Sequence, residues 1–249
     1  EAAREAVHLR RELVKKFPAV FTPGLAVSLN GLAIRLSNVR EFSEALDMAR
    51  EAVDLYRTLN GEHPDLYEPN LAASLNSLVN RLLENGRYAE VSDIYSELVD
   101  LYRRLVNKFS DRYVSNLAMV LTNMAKHLSS NNDSGGALDA VLEAVDLYRA
   151  LAKKSPERYT ADLARALNSK ACASLGVGNG GAALEASSEA LDLFRSLAAD
   201  LPDVYNASFA EALSIRANIL SEISYYEDAL EVSSEALELF RILVDGSPG

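Results

Sequence analysis

A single cysteine, Cys172, stands among 249 residues, so the chain can carry neither an intramolecular disulfide nor a cysteine-based zinc cluster. A reducing, cytoplasmic (intracellular) setting is the simpler expectation. Tryptophan is absent, and the three histidines, His8, His63 and His127, lie too far apart for metal-ligand spacing, so no metal and no cofactor are expected. Basic residues are outnumbered 25 to 36, giving a formal charge of −11, which is not the profile of a nucleic-acid binder. Long apolar runs are missing too. The longest uncharged stretch, 17–34, contains Pro18, Pro23, Gly24, Ser28 and Asn30, and reads as a loop leading into a helix rather than a membrane span. No targeting segment is recognisable. What remains, 49% hydrophobic and 24% charged, is the composition of a folded globular chain.

Against these scarcities stands one abundant feature, an internal repeat. The segment Glu51-Ala-Val-Asp-Leu-Tyr-Arg57 recurs at Glu97–Arg103, Glu143–Arg149, Glu189–Arg195 and Glu235–Arg241, with a weaker copy at Glu5–Arg11, always at a step of 46 residues. A second series keeps the same step: Leu25–Asn30, Leu71–Asn76, Leu117–Thr122, Leu163–Asn168 and Phe209–Ser214. Apolar spacing within both segments is helical, as in Leu71, Leu75, Leu78, Leu82 and in Val91, Ile94, Leu98, Leu101, Leu105, and nothing alternates with period two. Each unit is therefore two helices, A and B. Helix A is expected to start behind Thr22, Thr160 or Asn206, with Pro23 or Pro69 as its first residue. It is expected to stop at Asn85-Gly86, Asn131-Asn132 or the glycines 176, 178, 180 and 181. Helix B, for example Tyr88 to Lys108, should end in a loop holding Pro18, Pro64, Pro156, Pro202 or Pro248. One such pair cannot bury its apolar stripe, whereas stacked pairs share a continuous core, so the pattern predicts an all-α, right-handed α-solenoid (superhelix).

The pattern Leu75-x-x-Leu78, Gly86-Arg87-Tyr88, Val91-x-x-x-Tyr95-x-x-Leu98 resembles the tetratricopeptide repeat (TPR) family. Small residues at Ala45, Ala137, Ala183 and Ala229, and at Ala52, Ala144, Ala190 and Ala236, would let the helices of a pair cross closely. The period exceeds the family's usual one because helix B runs on through Leu-Tyr-Arg. This lengthened form is similar to kinesin-light-chain repeats and to arrays attached to signalling NTPases or CHAT-type domains. The array divides into a helix B alone (1–20) and repeats at 21–66, 67–112, 113–158, 159–204 and 205–249, the last cut before a further helix A. It reads as an excerpt from a longer array, with further repeats or an effector domain expected in the parent.

The resemblance implies that helix A lines a concave groove. The groove phases are Asn30, Asn76, Thr122, Asn168 and Ser214, a polar series in apolar helices, flanked by variable positions that include Asn80, Lys126, Arg165 and Asn218. Two roles are open for the polar series: side-chain bonds that fix repeat stacking, or a ladder for the backbone of an extended peptide. The variable phases run Val27, Ala73, Met119, Arg165, Glu211 and Ile34, Asn80, Lys126, Cys172, Asn218. A carboxylate clamp, as some family members use, would have only Lys126 and Arg165 to work with. Tyr56, Tyr102, Tyr148, Phe194 and Phe240 are expected to pack between repeats, as are Phe21, Tyr67, Tyr113, Tyr159 and Tyr205 in the connecting loops. Within helix B, Asp54 and Arg57 and their counterparts should form surface pairs three residues apart.

The lone Cys172 has no histidine beside it, the run Gly176–Gly181 lacks the lysine and the preceding strand of a phosphate loop, and no catalytic triad order is present. No enzyme is expected. The function expected is a non-catalytic protein-interaction scaffold that takes a peptide or partner segment in its groove. The alternative is a regulatory array that contacts an effector domain, or a homo-oligomer stacked through uncapped terminal helices. Residues 200–249 hold ten acidic and two basic side chains, so a partner with a basic end would be steered there, while neither nucleic acid nor membrane is expected.

Overall fold

The computed structural model describes residues 1–245, with the side chain of Ser110 left aside. Pro248 and the rest of 246–249 lie outside the described residues. Among these residues there are eleven α-helices and no strand: α1 Ala2–Lys16, α2 Pro18–Asn38, α3 Phe42–Glu62, α4 Pro64–Glu84, α5 Val91–Phe109, α6 Val114–Ser130, α7 Ser134–Lys154, α8 Pro156–Gly176, α9 Gly180–Asp200, α10 Pro202–Glu222 and α11 Tyr226–Asp245. They fall into two compact units, Glu1–Tyr113 with α1 to α5 and Val114–Gly249 with α6 to α11. Within each unit every helix packs on its chain neighbour, and the even-numbered A helices also touch, α2 on α4 in the first unit and α6 on α8 on α10 in the second.

Helix A starts one turn earlier than the sequence reading placed it. The prolines assigned to loops, Pro18, Pro64, Pro156 and Pro202, are each the first residue of a helix A. The connection from helix B is then one residue, Phe17, His63, Ser155 or Leu201, at φ near −140° and ψ near 70° in all four. A residue that precedes proline is sterically barred from the helical region, so helix B must end there, and proline's missing N–H costs nothing at a first helical position. Pro23 and Pro69 therefore lie inside helices. Thr22 and Thr160 cap nothing; each hydroxyl donates to the carbonyl four residues back, Pro18 or Pro156, at 2.7 Å. Asn206 sits within α10. Helix B of the second repeat opens with a 3₁₀ turn, Tyr88–Glu90, before α5 begins at Val91.

The run 17–34 is thus helical almost throughout. By length and composition α2 could cross a membrane, but Leu25, Ala26, Leu29, Leu32, Ala33 and Leu36 are buried. Its neighbours are α1, α3 and α4, which cover one face, while Val20, Val27 and Ile34 stay exposed.

Each helix A ends in the same way. Residues 40, 86, 132, 178 and 224 all adopt positive φ, between 61° and 78°. In each turn the next amide donates five residues back, as in Arg87 to Leu82 at 2.9 Å and Asn179 to Ser174 at 2.9 Å. The left-handed residue's own amide donates three back, as in Gly86 to Leu83 at 3.0 Å. This Schellman arrangement favours glycine, which occupies only two of the five positions. Arg40→Gly and Ser224→Gly should each raise unfolding free energy by about 0.5–1 kcal/mol in denaturant titration, since the left-handed conformation costs a side chain about 1–2 kcal/mol and glycine's entropy returns part of it. Two other glycines serve close approach instead: a Cβ at Gly176 would lie 2.2 Å from Ser134 Oγ, and one at Gly180 2.6 Å from Ile223 Cγ2.

The eight predicted small positions are buried, Ala45, Ala137, Ala183, Ala52, Ala144 and Ala190 completely. Tyr56, Tyr102, Tyr148 and Phe194 are each at most 4% exposed. Their partners Tyr67 and Tyr113 stand about one ring away, 6.5 and 6.4 Å between centroids, and Tyr67 belongs to the first turn of α4 rather than to a loop. Phe240 departs from the series. At 42% exposure it is not packed between repeats, because no helix among the described residues covers the face of α11 that α10 covers on α9.

Charge pairing also differs from the expected pattern. Contacts within helix B are loose: Arg57–Asp54 at 3.7 Å, Arg103–Asp100 at 3.9 Å and Arg195–Asp192 at 3.8 Å. The closer partner of the motif's arginine is the glutamate that opens the same motif in the next repeat: Arg11 with Glu51, Arg57 with Glu97 at 2.6 Å, Arg149 with Glu189 at 2.5 Å, and Arg195 with Glu235 at 3.5 Å. These pairs are half-exposed, so each contributes about 0–1 kcal/mol, and their main effect is to fix repeat register.

Candidate interaction groove

The structure separates the groove phases into two classes. The variable positions are open to solvent: Val27, Ala73, Met119, Arg165 and Glu211 in one series, and Ile34, Asn80, Lys126, Cys172 and Asn218 in the other. The polar series between them is sunk into the helices. Thr122 and Asn168 are buried, and Asn30, Asn76 and Ser214 are half-buried.

Most of the polar series has internal partners. Asn30 Nδ2 donates to Ser74 Oγ on the next helix A, and Asn76 Nδ2 donates to the Tyr102 hydroxyl at 2.9 Å. Thr122 donates to the Ala118 carbonyl at 2.8 Å and Ser214 to the Ala210 carbonyl at 2.9 Å, both on their own helix. Asn30 thus bonds helix A of the next repeat, whereas Asn76 bonds helix B of its own repeat. Asn168 is only 7% exposed, and its Oδ1 is buried with no hydrogen-bond partner; Asn30 Oδ1 shares that lack, although Asn30 Nδ2 is bonded.

Asn168 lies in a pocket of about 300 Å³ in the second unit. Three A helices form it: α6 contributes Lys126, Ser129 and Ser130, α8 contributes Arg165, Asn168, Ser169 and Cys172, and α10 contributes Glu211 and Ile215. Phe194 from α9 completes the wall. Three of the nine predicted groove residues thus meet here: Lys126, Arg165 and Asn168. Asn30, Asn76 and Asn80 belong to the first unit, while Thr122, Ser214 and Asn218 lie on α6 and α10 outside this lining. Cys172 and Glu211 were legible as groove phases but not singled out. Ser129 and Ser130, near the end of α6, carried no repeat signal.

Electrostatically the pocket is mixed. Arg165 is tied to Asp162 at 2.6 Å on its own helix. Although the residue is exposed, crowding by the pocket wall partly desolvates the Cys172 thiol and raises it above its ordinary pKa; Lys126 pulls it down and Glu211 pushes it up. The thiol is thus mostly protonated at neutral pH and a slow nucleophile. His127, buried beside Asn131 Nδ2 at 3.0 Å, is held below its usual pKa by desolvation and packs as a neutral ring. Two other clefts, on Arg50–Ile94 and on Ser188–Glu235, are lined by the arginine–glutamate ladder. Among the described residues no three metal-ligating side chains come together.

Residues 25–65 and 71–111 match the tetratricopeptide repeat family model. No curated protein matches the chain. Solved structures with the same fold include BtubC (BKLC) from P. vanneervenii, with TM-score 0.71 at 17% identity over 100% of this chain and 91% of that one. Kinesin-light-chain-type TPR-like repeats of Podosopora anserina align with TM-score 0.65 at 15% identity, over 90% and 99% of the two chains. YrrB, described as a TPR protein with an unusual peptide-binding site, aligns with TM-score 0.53 at 16% identity, over 94% and 93%. Two of its repeats thus match the tetratricopeptide repeat family model, and the fold is that of solved arrays that include kinesin-light-chain-type TPR-like repeats.

Proposed function

We propose that the chain is a non-catalytic scaffold whose second unit holds an extended peptide segment of a protein partner across α6, α8 and α10. Tetratricopeptide repeats are in general protein-interaction scaffolds, which gives the class of function. The observation that carries the finer reading is Asn168. A buried carboxamide oxygen without a partner costs about 1–3 kcal/mol, and rotation about the last side-chain bond lets the amide offer either a donor or an acceptor to a peptide group. Such a group recognises backbone, while the exposed Lys126, Arg165, Cys172 and Glu211 around it would read side chains.

The test uses the isolated chain against an immobilised peptide library. Asn168→Leu removes the orphan with little change of volume, so unfolding free energy should stay level or rise by about 1 kcal/mol while peptide affinity falls about tenfold or more. A purely structural role would lower stability instead. Cys172 is the sole cysteine, so N-ethylmaleimide at mildly alkaline pH adds bulk to the pocket alone and should block capture. Unchanged capture after both changes would refute the groove.

A further inference from the structure

The Asn168 pocket has a polarity that the repeat pattern does not require. Lys126 on α6 stands on one side and Glu211 on α10 on the other, with α8 between them. Neither makes an ion pair among the described residues, whereas the third charge, Arg165, is neutralised by Asp162. Both are exposed side chains, and both lie near enough to Cys172 to act on its thiol in opposite senses. One unpaired cation and one unpaired anion thus border one small cavity, with the orphan carboxamide of Asn168 in the wall between them. At the same repeat phases elsewhere in the chain stand Ile34, Asn80 and Asn218 in place of Lys126, and Val27, Ala73 and Met119 in place of Glu211. Along these two repeat phases, opposite charges occur only at this pocket.

We propose that this pocket selects a peptide segment carrying a carboxylate and a cationic side chain two positions apart, the carboxylate held by Lys126 and the cation by Glu211. The inference rests on the peptide reading above and names its chemistry. The spacing follows from size: about 300 Å³ has room for about two residues of extended chain, which rise about 3.3 Å each. In an extended segment, residues i and i+2 point to the same side, so both charges reach the pocket walls while the main chain of the residue between them passes Asn168. Either chain direction satisfies the arrangement, since the backbone offers a donor and an acceptor both ways. The ten acidic and two basic residues of 200–249 place further negative potential on the α10 side, which orients the cationic end there.

Four end-blocked, fluorescein-labelled Ala/Ser octapeptides, carrying Asp-x-Lys, Asp-x-Asp, Lys-x-Lys or Ser-x-Ser at their centre, test this by anisotropy against the full chain at low salt. Asp-x-Lys should bind about three- to tenfold tighter than each of the others, the range that two exposed charge pairs supply. Lys126→Glu should move the preference to Lys-x-Lys, and Glu211→Lys should move it to Asp-x-Asp. Both are surface changes that leave the fold intact, checked by thermal melting, and the double reversal should restore Asp-x-Lys. Equal binding of the four peptides, or a ranking that ignores the reversals, overturns the proposal. If that flat binding is still lost in Asn168→Leu and after Cys172 blocking, the groove stands and only its charge selectivity fails. Absence of measurable Asp-x-Lys binding at millimolar peptide overturns it too.

Discussion

Phe194→Ala should lower unfolding free energy by about 3–5 kcal/mol, the range for truncating a fully buried aromatic ring. Phe194 is 1% exposed and packs with Ala164, Leu191, Ala198, Phe209, Ala212, Leu213 and Ala236, so it joins helices α8 to α11. In a repeat array stability is the sum of units and nearest-neighbour interfaces, so the loss should be concentrated in the second unit. Hydrogen exchange of α8 to α11 amides should accelerate while that of α1 to α3 changes little. Phe240→Ala is the internal control. It occupies the same phase at 42% exposure, so its loss should stay below about 1 kcal/mol. Near-equal losses at the two sites would mean that burial does not govern this aromatic series. Phe194 also walls the pocket, so the variant should weaken peptide capture even at temperatures where it remains folded.

The contrast between those two phenylalanines marks the limit of what the repeat made legible. A 46-residue step tells which positions are equivalent, and thus gave the helices, the small-residue crossings and the four buried aromatics. It does not tell where equivalence ends, and Phe240 was grouped with residues that have a helix over them. Helix starts were misplaced for a local reason. Pro18 and Pro23 both suit a first helical position, and only the one-residue junction, set by the clash of a residue with the proline after it, decides for Pro18. The arginine–glutamate ladder was readable in principle, since every motif opens with glutamate and closes with arginine. The two members of each pair lie 40 residues apart on successive B helices, outside the three- and four-residue spacings by which one helix pairs its own side chains. In the candidate site, the residues that phase selects and one pocket brings together are Lys126, Arg165 and Asn168. Phase could not show that the amide nitrogens of Asn30 and Asn76 are bonded while the Oδ1 atoms of Asn30 and Asn168 have no partner, because that depends on what the adjacent helices carry: Ser74 for Asn30, Tyr102 for Asn76, and the alanine Ala212 at the position that corresponds to Ser74 for Asn168.

Glu68 offers the second large effect, and no repeat signal announced it, for Thr22, Val114, Thr160 and Asn206 stand at its phase. Its side chain on α4 is 5% exposed and is met by two cations from α5, Arg104 Nε at 2.9 Å and Lys108 Nζ at 2.7 Å. Burial alone would push this carboxyl up; the hydrogen bonds from Lys108 and Arg104 outweigh it and hold the pKa below its ordinary 4.5. A carboxyl lowered in the folded state contributes stability that is present above the unfolded pKa and lost as pH falls through the folded one. In Arg104→Met/Lys108→Met, burial acts unopposed and the sign reverses. The folded pKa then lies above 4.5, and stability is lost as pH rises from 4.5 through the raised value. At neutral pH the unpartnered Glu68 carboxylate should cost about 2–3 kcal/mol, less than a wholly dry charge because side-chain motion admits some water. Urea midpoints recorded between about pH 3 and 7 should therefore show the double variant falling progressively below the wild type as pH rises, since the other lowered carboxyls, Glu12 and Glu44, are common to both. Adding Glu68→Gln should remove this site's contribution to both slopes. A double variant whose midpoint still climbs in parallel with the wild type would show that Glu68 draws its low pKa from groups other than Arg104 and Lys108.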